Sequence, residues 1–259
     1  MILIIAYIIA FLAQYIVMLP LKDQRESQRR FPWLTFIIVL TNVLVYVGSV
    51  LLATRTAAAT DLSYEAVYFN MLYPYMTIAG LTATGQGVGA LSVLTSGFLH
   101  AGLGHLLGNM FILWFFGRKL EDAMGPVRYL FFYLLCLFTS DFLSTVANVS
   151  LSSYHANIPG LGASGAISGL MAGYFFLYAE ERILTFIFPI PWAFRLPVWV
   201  FIVHQFLGDA LAGQFIKEMS EMGLDVSTGV GVFAHMGGAL GGFLFVFLFL
   251  HPDVLAGRR

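Results

Sequence analysis

Apolar runs of about twenty residues recur along the chain, separated by short charged stretches. Each is long enough to cross the roughly 30 Å hydrocarbon core of a bilayer as a helix. The pattern predicts seven spans, at about 1–20, 33–54, 94–116, 127–149, 162–179, 197–215 and 230–250. The first carries no charge, and Gln14 is its one strongly polar side chain. A secretory signal has a basic n-region and a small-residue cleavage site. Neither is clear here, so residues 1–20 are read as a retained span.

The connections are uneven. Residues 21–32 form a basic loop with Lys22, Arg25, Arg29 and Arg30. Residues 55–91 are the longest connection, with an aromatic piece from Ala66 to Leu81 broken by Pro74 and glycines. Irregular backbone at membrane depth needs protein or water to satisfy it, so this piece is expected in the outer interface, partly buried. Arg118, Lys119, Glu121 and Asp122 read as a loop after the third span. A stretch with Pro189, Pro191, Arg195 and Pro197 reads as amphipathic and leads into the sixth. The expected organisation is an N-terminal transmembrane helix and basic loop (1–31), a membrane domain (32–250) and a short tail (251–259).

Composition agrees with an all-α polytopic membrane protein. The 259 residues are 59% hydrophobic and only 10% charged, against about 25% charged in a soluble domain. A net charge of -1 without a basic tract gives no sign of nucleic-acid binding. One cysteine, Cys136, excludes an internal disulfide and a cysteine-based metal site, and no cofactor or metal is expected. Basic residues set the orientation. Eleven (Lys22, Arg25, Arg29, Arg30, Arg118, Lys119, Arg128, Arg182, Arg195, Arg258, Arg259) fall on one set of alternate loops, and Arg55 and Lys217 on the other. The eleven are expected in the cytoplasm, with the N-terminus outside, the C-terminus inside and the chain in a bacterial plasma membrane.

That topology gives depth to the polar residues. Ser164 stands near the outer start of the fifth span, in Gly162-Ala163-Ser164-Gly165. His235 stands near the outer start of the seventh, with Gly238 and Gly242 following. At 1.5 Å per residue both sit roughly 5–10 Å below the surface. His100, His105 and Asn109 enter the same layer on the third span, His105 and Asn109 on one helix face. Small residues let membrane helices approach closely, so a serine and a histidine on glycine-lined helices can meet. Serine is a weak nucleophile until a base takes its proton, and the oxyanion it creates needs donors. Taken singly, each residue has a plainer use. A serine among glycines packs helices, a membrane histidine bonds a neighbour, and His105 with Asn109 can be interhelical glue. The shared depth is what favours chemistry. For Asp141, Asp209 and His204, structural hydrogen bonding is the expectation, or an interfacial position for the last two.

These residues resemble the rhomboid intramembrane serine proteases. The likeness rests on "GASG" at 162–165, Ala234-His235 with Gly238 and Gly242, and "HAGLGHLLGN" at 100–109. "PWLTFIIVLTNVLVYV" at the second span and "FPIPWAFRLP" before the sixth are also similar, so that it covers roughly 32–250. The resemblance implies a six-helix bundle around a water-filled cavity, with residues 1–20 as an extra helix. It implies Ser164 as nucleophile and His235 as general base, a dyad without an aspartate. His105, Asn109 and the Ser164 N–H would hold the oxyanion, Gly162, Gly165, Gly238 and Gly242 would serve packing, and His100 would be structural. The implied partners are single-span or polytopic membrane protein substrates in the lipid bilayer. Many members have a Trp-Arg pair in the first outer loop and an aromatic residue four after the serine. Residues 55–98 hold no such pair, and Ser168 stands at the second position. Gly108, before Asn109, is also small. Two other classes stay open. A rhomboid-like protein that binds membrane helices without cutting them would not need Ser164, His235 and Asn109. A transporter would be expected to show an inverted repeat, and none is clear.

Overall fold

A computed structural model describes residues 17–23, 30–86, 90–188, 190–224 and 231–255. In chain order the elements are β1 (Val17–Asp23), α1 (Trp33–Ala58), α2 (Tyr64–Leu72), a 3-10 turn (Tyr73–Tyr75), β2 (Thr77–Ile78), α3 (Ala79–Ala83), α4 (Ala90–Ser96), α5 (Leu103–Met124), α6 (Pro126–Leu151), α7 (Ser153–Ala156), β3 (Pro159–Gly160), α8 (Ser164–Tyr178), β4 (Arg182–Phe188), β5 (Ala193–Pro197), α9 (Val198–Glu221), α10 (Val232–Phe249) and α11 (Pro252–Leu255). The protein is an all-α polytopic membrane protein. Among the described helices α1, α6, α9 and α10 are long and apolar enough to cross a membrane. α5, charged in its last turns, and α8, only fifteen residues long, pack among them.

The core is a helix trio. α10 lies against both α6 and α8 because glycines line the seams. A methyl group on Gly238 would overlap the Gly165 carbonyl, and one on Gly242 the Gly169 carbonyl. One on Gly165 would overlap Ser140 of α6. Small residues thus replace hydrophobic drive with close backbone contact, as membrane packing requires. Tyr129, Phe132, Tyr133 and Cys136 fill the α6 side of this core, all fully buried or nearly so. By contrast α1 turns Ile37, Leu40, Leu44, Val47 and Leu51 outward, the pattern of a lipid-facing helix.

Three expectations are corrected, and a fourth, the amphipathic stretch, is given its form. Residues 1–16 of the proposed first span lie outside the described residues, but the span's last four residues do not continue as helix. Val17–Asp23 is a strand, paired antiparallel with β4 from Val17↔Phe188 to Asp23↔Ile183, with a register shift between Pro20 and Lys22. Pro20 has no N–H to give the ladder, which is why the shift falls there. The amphipathic stretch after the fifth span is a hairpin, β4 on β5 from Arg182↔Pro197 to Phe186↔Ala193. Ile183 and Thr185 are buried and their neighbours less so, the period of two that a strand imposes. Second, Arg118 to Asp122 are not in a loop, because α5 runs on to Met124. The chain turns at Gly125, φ +80°, and Pro126 opens α6. Last, the third span divides. α4 stops at Ser96 and α5 begins at Leu103, so His100 is in the turn before the helix rather than on it.

Charged groups in α5 explain its extension. Glu121 accepts from Leu34 N (3.0 Å), Thr35 N (2.8 Å) and Thr35 Oγ1 (2.8 Å). It caps the start of α1, where no side-chain cap is present, and a carboxylate is favoured at a helix N-terminus. Lys119 reaches Asp23 of β1 at 2.6 Å and pairs with Glu181. Tyr174 donates to the same Asp23 oxygen at 2.6 Å. Burial pushes the Glu181 carboxyl up, while the Lys119 ammonium pulls it the other way. This cluster fastens β1 to α5 and α8 at the end of the bundle away from Ser164.

At the other end the 55–91 connection packs without spanning. Tyr68 donates to the His100 carbonyl at 2.6 Å, and Val67, Leu72 and Met76 cluster with Ala53 and Leu99. β2 pairs with β3 through Thr77↔Gly160 and Ile78↔Pro159. The chain just before Ser164 is thereby tied to the outer loop.

Candidate active site

α8 is about 22 Å long at 1.5 Å per residue, shorter than the roughly 30 Å apolar layer. Its first residue is Ser164. α8 is therefore too short to cross that layer by itself, and its other end is tied to Lys119 through Tyr174. Ala163 is the N-cap and offers no side-chain acceptor, so the first backbone N–H groups, Ser164 among them, lack intrahelical partners.

The loop entering α8 is shaped by Gly162. Its N–H donates to the Ser96 carbonyl at 2.9 Å, and its φ is +121°, a region that L side chains rarely adopt. A Cβ there would stand 2.9 Å from His105 Cε1 and 3.0 Å from His105 Nε2, with Asn109 Nδ2 at 3.8 Å. Only glycine lets this backbone lie against those two side chains.

His105 is held from below. The Ala101 N–H donates to His105 Nδ1 at 3.4 Å, so the ring proton resides on Nε2, the nitrogen nearest Gly162. The buried His100 ring packs edge-on against His105, centroids 5.0 Å apart. Asn109, one turn further along α5, has its Nδ2 buried without a hydrogen-bond partner among the described residues. A buried donor left unsatisfied is rare and asks for a reason.

His235 is the fourth residue of α10 and is 8% exposed. A Cβ on Gly165 would touch the Ala234 carbonyl at 3.4 Å. The residue after Ser164 and the residue before His235 are therefore backbone neighbours. Ser164, His235, His105 and Asn109 line one cavity of about 490 Å³, together with Gly104, Gly108, Ser168, Met171, Phe201, His204, Gln205 and Asp209. Met18 and Leu19 of β1 also line it, so the strand found in place of the first span's end forms part of the cavity wall.

One residue of the site was missed at the level of sequence. Asp209, 5% exposed, has both carboxylate oxygens 3.2 Å from His235 Nδ1. The expectation is a serine and a histidine without an aspartate; in the structure a carboxylate stands behind the histidine. The signal was available. Six residues before the expected end of the sixth span at 215, Asp209 lies about 9 Å deep, the same layer as Ser164 and His235. Asp141, by contrast, faces Thr77 and Thr145, away from the cavity. His204 lines the cavity with its Nε2 unpartnered among the described residues.

Fold and cavity together define a polytopic helical membrane protein in which two serines, three histidines, two amides and a carboxylate line one largely apolar cavity. The rhomboid domain family matches residues 89–252. The chain is 30% identical over 247 residues, 88% of its length, to RHOMBOID-like protein 4 of Arabidopsis thaliana. It is 27% identical over 235 residues, 85% of its length, to RHOMBOID-like protein 1 of the same plant. It is 33% identical over 157 residues, 60% of its length, to the Presenilin-associated rhomboid-like protein, mitochondrial, of Homo sapiens. The chain belongs to the rhomboid family. It spans 55%, 54% and 36% of those three relatives.

Proposed function

We propose that the protein is an intramembrane serine endopeptidase that cuts transmembrane helices of single-span or polytopic membrane proteins. The observation that carries this reading is the unpartnered Asn109 Nδ2, set beside the Nε2–H of His105 in the cavity that Ser164 and His235 line. Donors without acceptors, facing a nucleophile and a base, are suited to a charge that exists only during reaction.

The steps follow from the groups present. Ser164 Oγ attacks the scissile carbonyl carbon while its proton passes to His235 Nε2. The carbonyl oxygen becomes an oxyanion, bonded by Asn109 Nδ2, His105 Nε2–H and the Ser164 N–H. Collapse breaks the C–N bond, and His235 returns the proton to the leaving amine. Water then attacks the acyl-serine, His235 accepts its proton, and Ser164 is regenerated. A substrate helix must unwind locally to present a carbonyl, and the backbone groups it frees need polar partners inside the layer. Ser168, His204 and Gln205 line the cavity where that segment would enter.

The eleven-to-two basic asymmetry supports placing the Ser164 end outside and the C-terminus in the cytoplasm; a bacterial plasma membrane is the location proposed. Single cysteines in the 55–91 connection and in the tail, probed with an impermeant thiol reagent in intact cells, test this. The connection should label and the tail should not; the reverse would invert the orientation.

A fluorophosphonate tests the nucleophile. Purified protein should carry the adduct on Ser164, and His235→Ala should lose most of the labelling rate. An adduct on another serine, or equal labelling in His235→Ala, would overturn the assignment.

A further inference from the structure

We infer that Asp209 is a positioning residue for His235, so that this rhomboid works with a Ser164–His235–Asp209 triad rather than a dyad. The inference rests on the protease reading above and adds a third group to it.

The geometry is specific. Asp209 Oδ1 and Oδ2 are each 3.2 Å from His235 Nδ1. An ionised carboxylate only accepts hydrogen bonds, so Nδ1 carries the ring proton and donates to both oxygens. That leaves Nε2 with its lone pair, the form a general base needs. Both side chains are nearly sealed, at 5% and 8% exposure. An anion in such a place needs a partner, and among the described residues His235 is the one charged or chargeable group bonded to it.

Packing delivers Asp209 to this position. One turn further along α9, a Cβ on Gly213 would meet Val232 Cγ1 at 3.2 Å and Phe233 Cε1 at 3.5 Å. The close approach of α9 to the first turn of α10 brings Asp209 level with His235. The residue four after the serine is Ser168, which lines the same cavity. The carboxylate of α9 supplies the hydrogen bond that restrains the imidazole.

The kinetic consequence falls on the transition state. When Ser164 Oγ loses its proton to Nε2, His235 becomes an imidazolium that retains its Nδ1 proton. Asp209 stays a carboxylate and stabilises that cation across the existing hydrogen bond. Substrate binding does not create the cation, so the contribution falls on kcat and not on KM.

The experiment uses the purified full chain and its Asp209→Asn and Asp209→Ala variants, with cleavage kinetics, fluorophosphonate labelling and thermal unfolding. Asp209→Asn is expected to lower kcat by about 10²–10⁴-fold, with KM within threefold and labelling of Ser164 slowed in step. A parallel reading does not need activity. In ¹⁵N-histidine spectra, with His235 assigned through its loss in His235→Gln, the neutral wild-type ring should be protonated at Nδ1. In Asp209→Ala the proton should redistribute toward Nε2. A variant with near-normal kcat in an active protein, or a wild-type ring protonated at Nε2, overturns the role of Asp209 and leaves the protease reading standing. A wild-type chain that neither cleaves nor labels overturns the protease reading and the role together.

Discussion

Replacing Asn109 by alanine separates chemistry from packing. Loss of one oxyanion donor costs about 2.7–4 kcal/mol, or 10²–10³ in kcat, with little change in substrate binding. The effect on stability is set by what Asn109 does in the resting protein. Its Nδ2 bonds to no described residue, so the substitution breaks no such bond of the amide nitrogen. The side chain stands on a cavity wall and is only half-buried, so little packing is lost. The midpoint of thermal unfolding should therefore hold to within a few degrees, since about 1 kcal/mol moves it by about 2–4 °C at this size. Were Asn109 interhelical glue, its loss would instead cost about 0.6–2 kcal/mol of stability and spare the rate. Cleavage kinetics beside thermal unfolding in detergent read both. A variant with a lowered melting temperature and near-normal kcat would refute the reasoning.

Gly238→Ala places a methyl on the Gly165 carbonyl; overpacking costs about 1–3 kcal/mol, and parting α8 from α10 should also remove most activity, read by melting temperature and kcat together. Gly162→Ala adds a backbone strain of about 1–3 kcal/mol and presses on His105, so kcat should fall more steeply than stability does. Lys119→Met removes the cation that Asp23 and Glu181 share, which should lower the melting temperature and loosen β1, seen as faster proteolysis at residues 17–23.

How much of this was legible in the sequence depends on the kind of signal. Four of the spans, those of α1, α6, α9 and α10, were legible because bilayer thickness fixes their length, and Ser164, His105, Asn109 and His235 could be assigned one depth by counting from span ends. Side-chain direction was not legible. Asp209 lay at the same depth, but nothing in its neighbours says which way it faces along α9. The charged end of α5 was misread because Lys119 and Glu121 look like loop residues until their partners, Asp23, Glu181 and the start of α1, are known. The strand at Val17–Asp23 was hidden by its own apolar character. A short buried strand and the end of a spanning helix have the same composition, and only the β4 edge 160 residues away decides between them. Gly238 and Gly242 read as packing positions on their spacing alone, whereas Gly162 needed its φ and the His105 ring beside it to explain why no other residue fits.

The central claim is that Ser164 makes this rhomboid a protease. The most direct measurement is incubation of the pure protein and its Ser164→Ala variant, in detergent and in liposomes, with a panel of single-span membrane substrates, each product mapped by mass spectrometry. The account predicts cleavage within or beside the spanning helix by the wild-type protein and none by Ser164→Ala, with both equally folded. Equal cleavage by the two, or an intact panel with a well-folded wild-type protein, would contradict it.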